Sequence, residues 1–196
     1  MAQHDGPLGM SESVMRLRCQ PSELPSHLYR IQYPASQTRY TDEGLRAADT
    51  TTTYSSREVF GDSVRRHFTW KDRRRSSFIS LFSDESYAKN WGCKEPWLGA
   101  EATQEDDWRL FSIDTNLLKD TVVFKLSRLV DFLNLKLPEK AEKHIEGGYI
   151  CLHKIPRSAI VQEQKGTDIR HPYEYPIFEE DIASEELLRD LEAMGL

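Results

Sequence analysis

Four polar residues stand in or beside apolar stretches where they could do chemistry. Arg30 lies between Tyr29 and Ile31 in "HLYRIQY", and His67 ends the amphipathic run "SSREVFGDSVRRHF". Ser80 interrupts "FISLF", and Glu146 precedes the paired Gly147-Gly148 and "YICL". A serine, a histidine and an acid suggest a hydrolase, but no G-x-S-x-G elbow surrounds Ser80. Neither a Walker nor a Rossmann glycine pattern occurs to cradle phosphates through backbone amides. Each residue also has a plainer role. Arg30 fits the solvent face of an edge strand, Ser80 a small core position bonded to backbone, and Glu146 an exposed helix end. The alternative for Ser80 is a strand facing a ligand cleft.

Metal chemistry finds no support. The cysteines Cys19, Cys93 and Cys151 are far apart and odd in number, and neither CxxC nor HExxH spacing is present. The chain has 26 basic and 32 acidic residues among 196, a net charge of −6. Basic residues cluster at Arg65-Arg66-His67 and through "KDRRR" beside Trp70. Basic residues with aromatic interleaving are the footprint of a nucleic-acid binder; the alternative is a solvated loop between a helix and a strand. Nothing approaches the roughly 18–20 apolar residues of a membrane span. The first residues, "MAQHDGPLGMSESVMRLR", lack the apolar core of a secretory signal. An intracellular protein without membrane contact is expected.

The elements that must position these residues follow from periodicity. A strand is expected over Leu28–Tyr33, closed by Pro34, with Leu28, Arg30 and Gln32 on one face. A long polar stretch pivots on Gly44. Ser55 or Ser56 then caps a helix whose apolar face is Val59, Phe60, Val64 and Phe68. Strand Phe78–Phe82 gives way at Ser83-Asp84 to a capped helix, Glu85–Trp91. "LFSIDT" alternates as a strand, and "TVVFKLSRLVDFLNLKL" reads as a buried helix from Val123 or Phe124. "YICLHKIPRSAIV" reads as strand, turn, strand. Ser184 caps a final acidic helix with Leu187, Leu188, Leu191 and Met194. Strands without strict βα alternation indicate an α+β domain.

The order of these motifs resembles the ADP-ribosyltransferase fold, in the branch of the heat-labile enterotoxin A chain and pierisin. That branch has an early Tyr-Arg, a Phe-Val-Ser-Thr-Ser strand before a helix, a Val-Tyr-x-Ile-Asp strand, and a glutamate ahead of a strand and Ile-Pro. The stretches "LYRIQYPASQT", "FISLFSDESYAKNW" and "YICLHKIPRSAIV" also look like an uncharacterised fungal domain family of this branch. The resemblance spans roughly residues 25–165.

It implies two small antiparallel sheets facing across a cleft, with helices outside, and NAD as the substrate in place of a resident cofactor. Arg30 corresponds to the arginine that grips a phosphate or ribose of NAD, its fork of donors pairing bidentately with oxygens. Ser80 corresponds to the first serine of Ser-Thr-Ser, which orients the catalytic acid and the nicotinamide ribose; His67 corresponds to a histidine seen before that strand, which counts it with Arg30 and Ser80 among the NAD-binding residues. Two departures stand out. Ser-Thr-Ser becomes Ser80-Leu81-Phe82, and the acid's position falls on Gly148, leaving Glu146, two residues back, as the nearest candidate.

The resulting expectations are a leader over 1–24, a domain over 25–165, and an irregular segment with the acidic helix over 166–196. The tail helix packs back or docks on a protein partner. The expected activity is a mono-ADP-ribosyltransferase or NAD glycohydrolase with a protein or nucleic-acid acceptor. The competing expectations are a degenerate binding module and a nucleic-acid-associated domain.

Overall fold

The structure, a computed structural model, describes residues 10–69, 72, 74–94 and 108–169. The expected final helix and the "CKEPWLGAEATQEDD" stretch beyond Lys94 lie outside the described residues, as do Trp70, Lys71 and Arg73.

Alternation organises the larger sheet. In β1 (His27–Gln32), Leu28 and Arg30 share one face, while Tyr29 and Ile31 share the other. β1 pairs along its whole length with β5 (Arg109–Asp114), placing Leu28 opposite Ile113 and Arg30 opposite Phe111. On its other side β1 meets β4 (Phe78–Phe82) at a single register pair, Tyr29 with Phe82. β4 in turn pairs over five residues with β7 (Gly148–Leu152). With β6 (Val123–Lys125) and β9 (Ile160–Lys165) at the edges, the order is β6-β7-β4-β1-β5-β9, every neighbour antiparallel. The sheet is thus two well-zipped halves joined at one point.

A second antiparallel sheet of order β2-β3-β8 comprises β2 (Arg39–Thr41), β3 (Gly44–Arg46) and β8 (Lys154–Pro156). Leu45 and Ile155 from this sheet join Leu28, Ile79, Leu81 and Phe111 from the larger one in a common buried cluster. The opposite face of the larger sheet is covered by helices. α1 (Glu12–Met15), α2 (Arg57–His67) and α4 (Leu126–Leu133) pack over Phe78, Phe124 and Ile150. α3 (Glu85–Lys94) lies over Ile31, Phe82 and Leu110. A short α5 (Glu139–Glu142) leads into β7. The architecture is α+β, with two antiparallel sheets and few helices, as the strand pattern led us to expect.

The capping signals hold. Ser56 accepts the Val59 amide at 3.3 Å at the start of α2, and Asp84 accepts the Tyr87 amide at 2.6 Å at the start of α3. Three expectations are corrected. The polar stretch after Pro34 contains β2 and β3; Gly44 joins them at φ +116°, and a Cβ there would sit 2.2 Å from the Ile155 carbonyl oxygen. Val123 and Phe124 pair with Cys151 and Ile150 as a strand, so α4 begins only at Leu126. Val59, placed on the apolar face of α2, is 49% exposed.

Part of the segment read as a leader is core. Met10 and Val14 are fully buried, and the Cys19 amide donates to the Val123 carbonyl at 2.8 Å. Val14→Ala is therefore expected to lower the unfolding free energy by about 2 kcal/mol, measured by urea denaturation. A change near zero would restore the appendage reading.

Candidate functional site

Where β1 and β4 part, a guanidinium takes the place of a ladder bond. Arg30 Nη1 donates to the Ser80 carbonyl at 3.2 Å, and Nη2 donates to Ser36 Oγ at 2.8 Å and Thr38 Oγ1 at 3.2 Å. Arg30 is only 9% exposed, and its Nε–H has no acceptor. Among the described residues none of its partners is a carboxylate. Burial lowers its pKa to about 10, so it stays charged near neutrality. A buried cation with neutral partners alone is costly, because only an opposite charge offsets its lost hydration.

Ser80 contributes its other end to His67. Its Oγ lies 2.6 Å from His67 Nε2, while Nδ1 lies 2.7 Å from Ser76 Oγ. Ser76 Oγ already accepts the Phe78 amide, which leaves its proton or remaining lone pair for the imidazole. Burial, with the Arg30 charge adding to it, pushes the His67 pKa down to about 3. The ring is therefore neutral and a poor base. It holds the Ser80 hydroxyl rather than activating it.

Arg30, His67 and Ser80 line one cavity of about 570 Å³, within the range of roughly 300–1,000 Å³ typical of small-molecule sites. Phe82, Trp91 and His144 also line it, and the Phe82 and Trp91 centroids are 5.7 Å apart. Burial, then Lys143, lowers the His144 pKa to about 4, and Tyr87 Oη lies 2.7 Å from its Nδ1. Arg66, Arg74 and Arg75 line the cavity as well. Among the described residues its carboxylates are Asp49 and Asp72. Asp72 pairs with Arg74. Burial works against the Asp49 charge, but hydrogen bonds from Thr52 and Thr51 outweigh it and hold that carboxyl below the usual range.

Glu146 is placed differently. It is exposed, in the turn before β7, and is not among the residues lining the cavity. Gly148, opposite Phe82, does line it, yet a Cβ at that position would sit 2.3 Å from the His144 carbonyl oxygen. The backbone leaves no room for a glutamate there. Sequence reasoning brought Arg30, His67 and Ser80 together and missed Ser36, Thr38 and His144. Those three belong to turns and loops, and no periodicity marks them.

The profile of a family described as a domain of unknown function, DUF7587, matches residues 23–169. The chain belongs to this family. No curated protein matches it. A solved structure, EcPltA, aligns over 72% of this chain and 75% of its own at 10% identity and a TM-score of 0.46, too loose a likeness to build on.

The buried histidine carries a pH signature. His67 has an ordinary value of 6.5 and a folded value of about 3, so the unfolded chain binds the extra proton. Its stabilising contribution is full above pH 6.5 and is lost as pH falls towards 3. His67→Gln should flatten the fall in unfolding free energy between pH 6.5 and 5 by at most about 1.4 kcal/mol per pH unit. Parallel curves for the two proteins would mean that His67 is not held neutral.

Proposed function

We propose that this domain is an ADP-ribosyltransferase-like binding module whose cavity takes a phosphate-bearing nucleotide of the NAD class. The carrying observation is Arg30: a buried, charged guanidinium with no carboxylate partner among the described residues, in a nucleotide-sized cavity. A diphosphate supplies the missing charge and accepts two parallel hydrogen bonds from the guanidinium fork. Ser80 serves as a positioning residue. With its hydroxyl donating a hydrogen bond to His67, its oxygen still accepts one from a ribose hydroxyl. Phe82 and Trp91 offer the apolar wall against which a planar base or nicotinamide ring packs.

The same geometry favours binding over turnover. Cleaving the nicotinamide–ribose bond develops positive charge on the ribose, and a nearby carboxylate lowers that barrier. Gly148 cannot supply it, Glu146 stands outside the cavity, and Asp49 is held by threonine hydroxyls and amides. Among the described residues no carboxylate is free to face a bound ribose.

A one-dimensional proton NMR time course with NAD separates the alternatives. The expected result is broadening of NAD signals with wild type, loss of broadening with Arg30→Ala, no change with Glu146→Gln, and no free nicotinamide. Absence of broadening with folded wild type would overturn the nucleotide reading. Nicotinamide release that Glu146→Gln abolishes would overturn the binding-only reading and make Glu146 the acid.

A further inference from the structure

The smaller sheet carries a row of like charges that packing does not explain. Arg39 on β2 lies directly opposite Arg46 on β3, and Arg46 lies directly opposite Lys154 on β8. Cross-strand neighbours have Cβ atoms about 4.5–5.5 Å apart, and like charges so placed destabilise a sheet. All three residues are exposed. Arg46 has Glu43 at 3.2 Å, an exposed pair worth little, and the Arg39 guanidinium has no ion-pair partner among the described residues.

The row borders a groove of about 800 Å³ lined by Arg39, Arg46 and Arg75 together with Ser36, Thr41 and Thr50. No carboxylate lines it among the described residues. Ser36, Gln37 and Arg75 line both this groove and the Arg30 cavity, so the two adjoin. The net charge of −6 does not argue against an anionic partner. Residues 166–196 hold nine acidic residues and two arginines, leaving the first 165 with 24 basic and 23 acidic side chains.

We infer that this groove binds the phosphodiester backbone of a single-stranded nucleic acid and leads one unpaired nucleotide towards the cavity. Arginine rather than lysine dominates the lining, and its planar fork fits phosphate bidentately. Serine and threonine hydroxyls are the other common phosphate donors. The adjoining cavity, of about 570 Å³ with Phe82 and Trp91 among its lining, has room for a base released from stacking but not for a base pair. The groove does not depend on whether NAD fills the cavity.

Fluorescence anisotropy with a labelled single-stranded oligonucleotide, read as Kd against salt, tests this. Combining Arg39→Gln with Arg46→Gln is expected to weaken binding roughly tenfold and to flatten the plot of log affinity against log salt by about 0.7 per lost phosphate contact. Lys154→Gln, on a different strand, gives an independent and smaller effect in the same direction. NAD binding by these variants stays at the wild-type level, so a failure of the groove and a failure of the nucleotide cavity are read separately. The inference is overturned if the oligonucleotide does not bind at low salt or if the variants keep the wild-type slope. It is also overturned if a duplex binds as tightly as the single strand, or if a polyglutamate peptide of equal charge binds as tightly and with the same dependence on Arg39 and Arg46.

Discussion

β1 and β4 share one register pair, Tyr29 with Phe82, and then separate. Arg30 is the residue at which they do so, and its guanidinium takes the Ser80 carbonyl, Ser36 and Thr38 as partners. The arrangement holds a positive charge in a region of low dielectric with only neutral groups as its direct partners among the described residues. Such a group reduces the stability of the empty fold, since its hydration is lost and neutral acceptors recover only part of the cost. The rest of the molecule is built to keep it there. β5 zips β1 along its full length, β7 zips β4, and the smaller sheet covers the face from which Arg30 emerges. The cavity exists because two rigid half-sheets meet at one point.

The chemistry around that charge is orienting. His67 is kept neutral by burial and by Arg30, and both its nitrogens are engaged by serines. That network fixes the Ser80 rotamer and gives the strand carbonyl and hydroxyl separate tasks. A side chain at position 148 is excluded by the His144 carbonyl over Gly148. A glycine that tight is a packing requirement of the turn into β7.

Much of this was legible in the sequence where local rules act alone. Alternation placed β1, β4 and β5 and named the face of Arg30; Ser56 and Asp84 announced the two helix starts. The plain readings of Arg30 as a solvent-facing residue and of Val123 as helical failed for one reason: burial is decided by neighbours distant in sequence. β2 and β3 are three residues each, too short for a period to show. Ser36 and Thr38 hold Arg30 across a turn, where hydroxyl residues are common and carry no signal of their partner. Glu146 was attractive by proximity in sequence, but proximity along a turn does not set direction. Met10 and Val14 lie in a polar stretch whose burial depends on α2 and α4.

If Arg30 is held in place for a ligand, it is held at the expense of stability. Thermal unfolding of wild type and Arg30→Met, each with and without ADP-ribose, decides this. Without ligand, Arg30→Met is expected to be at least as stable as wild type, because an apolar side chain replaces a charge that neutral acceptors only partly compensate. ADP-ribose is expected to raise the midpoint of wild type alone, by mass action on the folded state. A folded Arg30→Met protein that melts well below wild type, with ADP-ribose shifting neither, would instead make Arg30 a structural tie between strands.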